Sequence, residues 1–208
     1  MPTLIWHKPR PFAFLDPGPL IDGDLELIAP SSETIDDVLA MCHHPLTVRD
    51  MPSESSITRE MLEQFLKLAP GGRQAGDPSC GWLPAYHFWM MLSVRPVRGG
   101  VEKHVAGGMG LRVGTTPDIE LYTGNIGYNV YPPARGQRLA ERACRLVLPL
   151  ARKHGMTKLW ITCNPDNVAS RRTCERLGAQ LVEIVSVPKD HAFYGRGERF
   201  KCRFLVQL

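Results

Sequence analysis

The chain has 208 residues, of which 43% are hydrophobic and 22% charged, enough to bury one substantial core in one domain. Its formal charge of +4 suits an anionic ligand, but 21 acidic residues are interspersed among 25 basic ones without a basic block or arm, so no nucleic-acid partner is expected. No apolar run approaches the roughly 20 residues of a membrane span, so no membrane partner is expected.

Five prolines between Pro2 and Pro19 exclude residues 1–23 from helix and sheet interiors, and Trp6, Phe12, Phe14 and Leu15 are too apolar for a solvated tail. This part reads as an extended arm packed on a domain spanning 24–208. It lacks the uninterrupted apolar core of a signal peptide, and the chain reads as soluble and cytoplasmic. Residues 24–29 alternate polar and apolar and suggest a first strand. A helix follows, capped by Ser31 or Ser32, with Ile35, Val38, Leu39 and Cys42 as its apolar stripe. Thr58 caps a second. The Gly- and Pro-rich segment 70–84 is a loop, and residues 85–94 form an aromatic-rich strand.

The next strand, 104–113, carries Gly107, Gly108 and Gly110, without the spacing or following helix of a dinucleotide fingerprint. Residues 124–130 form a third strand, with Ile126, Tyr128 and Val130 on one face. From Arg135 to His154 the periodicity predicts the longest helix, kinked at Pro149 and stopped at Gly155. A buried strand, 158–163, leads through an NPDN turn into a helix over 168–177; strands 181–187 and 199–206 close the sheet. The strand–helix–strand order implies one parallel pairing by a right-handed crossover. Six cysteines show no CxxC pair and no histidine at metal-ligand spacing, so neither a disulfide framework nor a metal is expected.

The turn running from Pro133 to Ala140 joins a strand to a helix, and its backbone N–H groups converge as an anion cradle, with Gly136 allowing close approach and Arg135 and Arg138 adding charge. An ordinary helix start with solvated arginines is the alternative. In sequence the segment is similar to the phosphate loop of the GNAT superfamily of acetyl-CoA-dependent acetyltransferases: Arg or Gln, two free positions, Gly, one free position, Gly or Ala. Arg135 and Ala140 match; Arg138 stands where glycine is usual. A second match is Asn167, Ser170 and Gly178, with Cys174 where the family commonly has a tyrosine. The resemblance covers residues 100–208 well and 24–94 in element order only.

The resemblance implies a single-domain α/β (α+β) fold, a mixed, mostly antiparallel sheet with helices on both faces. It implies acetyl transfer from acetyl-CoA, as co-substrate, to a primary amine by direct attack, without a metal. The pyrophosphate would lie on Arg135, Gly136, Gln137, Arg138, Leu139 and Ala140, and the pantetheine arm beside Val130, fixed by Asn167 and Ser170. The tyrosine's role as general acid would fall to Cys174 or be absent; Glu120, Tyr128 and His191 are the candidate bases. The acceptor is a small amine or a protein N-terminus, and the protein a monomer or homodimer. Two other readings stay open: a non-catalytic acyl-CoA-binding or interaction module, and an enzyme with Cys163 or Cys174 as nucleophile.

Overall fold

A computed structural model describes residues 12–94 and 102–208; Trp6 lies outside the described residues. The elements, in chain order, are β1 (Ile21–Asp22), β2 (Leu25–Ile28), α1 (Ile35–Cys42), α2 (Pro45–Asp50), α3 (Arg59–Leu68), β3 (Arg73–Gln74) and β4 (Ala85–Val94). There follow β5 (Glu102–Arg112), β6 (Ile126–Val130), α4 (Leu139–Lys153), β7 (Lys158–Cys163), α5 (Val168–Arg176), β8 (Gln180–Ser186), α6 (Ala192–Gly195) and β9 (Phe200–Gln207).

Strand β4 organises both cores because successive side chains of a strand face opposite sides. Tyr86, Phe88 and Met90 pack with Leu139, Ala143, Val147 and Leu150 of α4, whereas Met91 joins Ile35, Val38, Cys42 and Leu62 of α1 and α3. Helices therefore cover both faces of a mixed α/β fold. Phe12 and Phe14 reach the first core: Phe14 stands edge-on to Tyr86, whose hydroxyl accepts from Leu15 N at 2.7 Å and meets His154 Nε2 at 2.7 Å.

Several boundaries differ from the sequence reading. Ile21–Asp22 pairs with β2, and Arg73–Gln74, inside the expected loop, pairs with β4. Helix α2 went unread, although Pro45 sits at its start. Neither Ser31 nor Ser32 caps a helix through its side chain; the Ser31 carbonyl instead accepts from Thr34 N and Oγ1, and α1 begins at Ile35. Thr58 does cap α3, accepting from Met61 N. Helix α4 starts at Leu139 rather than Arg135 because Gly136 and Arg138 have φ of 90° and 55°. It runs on across Pro149, whose ring is exposed, where a lost hydrogen bond is most easily replaced by water.

The largest correction concerns the sheet. Every pairing between named strands is antiparallel, and they form two sheets, one ordered β1-β2-β4-β5-β6 with β3 beside β4, the other β7-β9-β8. The expected parallel pairing around α5, between β7 and β8, is not formed: both strands pair antiparallel with β9, which lies between them, and β6 and β7 stand side by side without a ladder. One residue joins the sheets there: Asn125, 1% exposed, donates its backbone N–H to Trp160 O at 2.7 Å and accepts from Trp160 N through Oδ1 at 2.8 Å. Its Nδ2 donates to the carbonyls of Arg112 and Gly114, at 3.2 and 2.8 Å. Gly124, placed at the start of the strand by sequence, has φ of 75° instead; a β-carbon there would stand 3.1 Å from Thr162 N and Trp160 O. Beyond Asn125 the two edges diverge.

Replacing Asn125 with Ala leaves one buried and two part-buried backbone groups without their partners. At about 1–3 kcal/mol each, with the part-buried pair at the low end, the expected loss is at least about 3 kcal/mol, read as a lower urea midpoint.

Candidate active site

Because among the described residues β6 pairs only with β5 and β7 only with β9, two open strand edges face one another. They enclose a cleft of about 270 Å³ lined by Gly127 and Tyr128 on one side, Thr162 and Cys163 on the other, and Asn167 and Ser170 beyond. Asn167 caps α5, its Oδ1 accepting from Ser170 N at 3.0 Å. Ser170 Oγ meets the Tyr128 hydroxyl at 2.8 Å and so bridges α5 to β6. Burial raises the pKa of Tyr128 well above the ordinary phenol range, so the hydroxyl keeps its proton.

Past the end of β6 the chain turns through Pro132–Ala134 into the start of α4. Among the described residues, the backbone N–H groups of Gly136, Arg138, Leu139, Ala140 and Glu141 find no protein acceptor. Arg138 explains how: with φ 55° and ψ 28° it is the one non-glycine residue at positive φ among those described, and takes the left-handed conformation that glycine adopts easily. The turn therefore keeps its shape despite the arginine. Arg135 ties it down, donating from Nε to Val130 O at 3.2 Å and lying 3.9 Å from Asp50; the Gln137 side chain donates to Ala134 O at 3.4 Å. Exposed N–H groups at a helix start make an anion site that a diphosphate fits.

A second cavity of about 400 Å³ opens on the α3 side of the first sheet. Its floor is glycine: Gly108 and Gly110 of β5, with Gly127 paired to Gly110. Phe65 of α3 stands edge-on to His87 at 5.1 Å and tilted against Trp89 at 6.0 Å, closing it from above. Gly127 and Tyr128 line both this cavity and the cleft, so the two spaces meet at β6. Desolvation, aided by the charge of Arg112, lowers the pKa of His87 to about 4. Its ring is neutral at pH 7, with Nε2 at 2.9 Å from Gln74 Oε1.

The residues singled out in the sequence divide accordingly. Tyr128, Asn167 and Ser170 stand together at the cleft. Cys174, fully buried on α5, and Cys163, on the cleft wall, have pKa values pushed up by burial to about 12 and about 11, so both thiols are protonated at neutral pH and unsuited to nucleophilic attack. Glu120 lies in a turn of π-helix over Ile119–Thr123, accepts from Thr115 Oγ1 at 2.9 Å, and lines neither cavity. His191 caps α6, with Nδ1 accepting from Phe193 N and Nε2 at 2.7 Å from Asp118 Oδ1, so both ring nitrogens are occupied. Sequence reasoning missed Lys201, which faces the cleft and bonds Asn164 Oδ1 at 2.9 Å, and His87 and Arg112 in the second cavity. Only Arg112 had a signal: it follows Gly108 and Gly110 at period two, on the same face of β5.

An open cleft between divergent strand edges thus lies beside an anion-binding helix start in a mixed α/β fold. The chain belongs to the GNAT acetyltransferase family: residues 24–180 match the model of the acetyltransferase (GNAT) domain. Among solved structures, it is similar to the microcin C7 self-immunity acetyltransferase MccE in complex with acetyl-CoA and AMP, with 13% identity, TM-score 0.64, and coverage of 90% of this chain and 94% of that one. It is also similar to RimL, the ribosomal L7/L12 alpha-N-protein acetyltransferase in complex with coenzyme A, at 15% identity, TM-score 0.62, covering 90% and 96%. A GCN5-related N-acetyltransferase from Brucella melitensis has 19% identity, TM-score 0.61, and coverage of 95% and 81%. At such identities these likenesses establish the fold. No curated protein matches the chain by sequence. Among the described residues no group of His, Cys, Asp and Glu is placed to hold a metal ion, and no helix is long and apolar enough to cross a membrane.

Two outcomes follow from the site's local physics. Arg138→Gly relieves a left-handed conformation costing about 1–2 kcal/mol while adding backbone entropy of roughly 0.5–1 kcal/mol, so denaturant unfolding should show a net gain of up to about 1.5 kcal/mol. For His87, the folded pKa of about 4 lies below the ordinary 6.5, so the unfolded chain binds the extra proton between those values. Its contribution to stability is whole above about pH 6.5 and declines as pH falls toward 4. His87→Gln should flatten the melting temperature against pH in that window; an unchanged slope excludes this origin.

Proposed function

We propose that this chain moves an acetyl group from acetyl-CoA to a primary amine, in a domain spanning residues 24–208. The observation that carries the reading is the meeting of cleft and second cavity at Gly127 and Tyr128: a thioester reaching along β6 and an amine entering from the α3 side converge on one strand. The acetyl-CoA and coenzyme A named in the MccE and RimL complexes support it.

The residues present fit coenzyme A. Backbone N–H groups from Gly136 to Glu141 receive the pyrophosphate, and the exposed Arg138 side chain adds charge beside it. The open edge of β6 offers backbone partners to the pantetheine amides, as to an added strand, with Asn167 and Ser170 opposite. In the reaction the amine nitrogen bonds to the acetyl carbonyl carbon, the carbon–sulfur bond breaks, and the nitrogen loses its proton to solvent. Tyr128 passes its proton to the departing sulfur and takes one back from solvent in the same step, so no tyrosinate accumulates, and Ser170 orients its hydroxyl. This hydroxyl, reaching α5 from β6, takes the part that the buried Cys174 cannot. No metal enters the scheme. The acceptor is a small-molecule amine or a protein N-terminus, and the protein works in the cytoplasm as a monomer or homodimer.

A purely coenzyme-binding module would have no use for a second cavity meeting the cleft. Release of thiol from acetyl-CoA on adding amines tests the reading, which falls if no member of a diverse panel accelerates release over hydrolysis. Tyr128→Phe is expected to lower kcat roughly 10²-fold while leaving the Kd for coenzyme A unchanged; equal loss in both would assign Tyr128 to binding.

A further inference from the structure

The second cavity holds a cation without an anion. Arg112 is the one lysine or arginine lining it among the described residues, and no aspartate or glutamate lines it. Burial lowers the pKa of Arg112, the mark of a guanidinium held out of water, and no carboxylate lies within 4 Å of it among the described residues. Nη1 donates to Gly124 O at 3.3 Å, a long bond that leaves most of the planar fork unused. Asp118, whose charge partly supports Arg112, is already engaged at 2.7 Å by His191 and at 2.5 Å by Thr123. A buried charge whose nearest carboxylate is engaged elsewhere is unfavourable, and a guanidinium fork matches a carboxylate with two parallel bonds.

Position decides which carboxylate fits. A β-carbon added at Gly127 would stand 3.6 Å from Arg112 Nη1, so the guanidinium lies against the residue where cavity and cleft meet. A carboxylate seated there must be very near the nitrogen to be acetylated, and an α-amino acid separates the two by one carbon. Leu62, Phe65 and Trp89 offer the remaining space an apolar wall. We infer that the second cavity binds a free α-amino acid with an apolar side chain, its carboxylate on Arg112; on the transferase reading, upon which this rests, that amino acid is the acetyl acceptor. A protein N-terminus is excluded from this role, since its first carboxyl is spent in a peptide bond.

Calorimetry on the full chain saturated with coenzyme A tests this with leucine, methionine and phenylalanine, each beside its amide. The free acids should bind at least about tenfold more tightly, as for a charge-assisted bidentate contact. Arg112→Gln should erase that preference without altering coenzyme A affinity, and Arg112→Lys should keep part of it. Amides binding as well as acids, or no binding of any acid at millimolar concentration, overturns the inference without recourse to a variant. A preference for acids without thiol release supports the inference and sinks the transferase reading; thiol release with amides or peptide N-termini and no preference for acids does the reverse.

Discussion

Asn125 holds the two sheets edge to edge, and the cleft exists because the joining stops there. Its amide satisfies the carbonyls that end β5 and the N–H of Trp160, so every polar atom of this fully buried side chain is used. Gly124 allows the close approach to β7 that puts Asn125 in place. A regular parallel ladder between β6 and β7 would consume the edge that the proposed pantetheine contact requires. The fold thus gives up several backbone hydrogen bonds at its centre, and the two cores packed on β4 supply the stability that tolerates it.

The same arrangement accounts for two departures from the family pattern. Arg138 takes the left-handed conformation in place of glycine, which keeps the N–H groups at the start of α4 convergent at a local cost of about 1–2 kcal/mol. Cys174 lies fully buried with its thiol protonated, while Tyr128 crosses from β6 to place a hydroxyl on Ser170 of the same helix. In each case a position that looked defective by residue type is compensated by backbone conformation or by a neighbouring strand.

Local features were legible in the sequence. The apolar stripe of α4, strands β4 and β7, and the Thr58 and Asn167 caps depend on spacing within a few residues, and their positions were found to within a few residues. What could not be read depends on contacts distant in sequence. The β6–β7 junction is set by Asn125 reaching Trp160, 35 residues away, and β9, inserted between β7 and β8, takes the place of the parallel pairing that the order of elements implied. The glycines of β5 carried a signal, but as the floor of a cavity, not as a nucleotide loop: a side chain at Gly107 would collide with Asn129 O, and Gly108 and Gly110 open the space beneath α3. Lys201 and His87 share their strands with other polar residues, and what each one faces is set by contacts distant in sequence.

The central claim is that the start of α4 receives a diphosphate on backbone N–H groups while β6 presents an open edge to the attached arm. The most direct measurement is an amide ¹⁵N–¹H spectrum during titration with coenzyme A. The resonances of Gly136 through Glu141 and those along β6 should shift together and saturate at one stoichiometric equivalent, leaving α1 unmoved. Shifts confined to surface arginines, or absent from both segments at millimolar coenzyme A, would contradict the account.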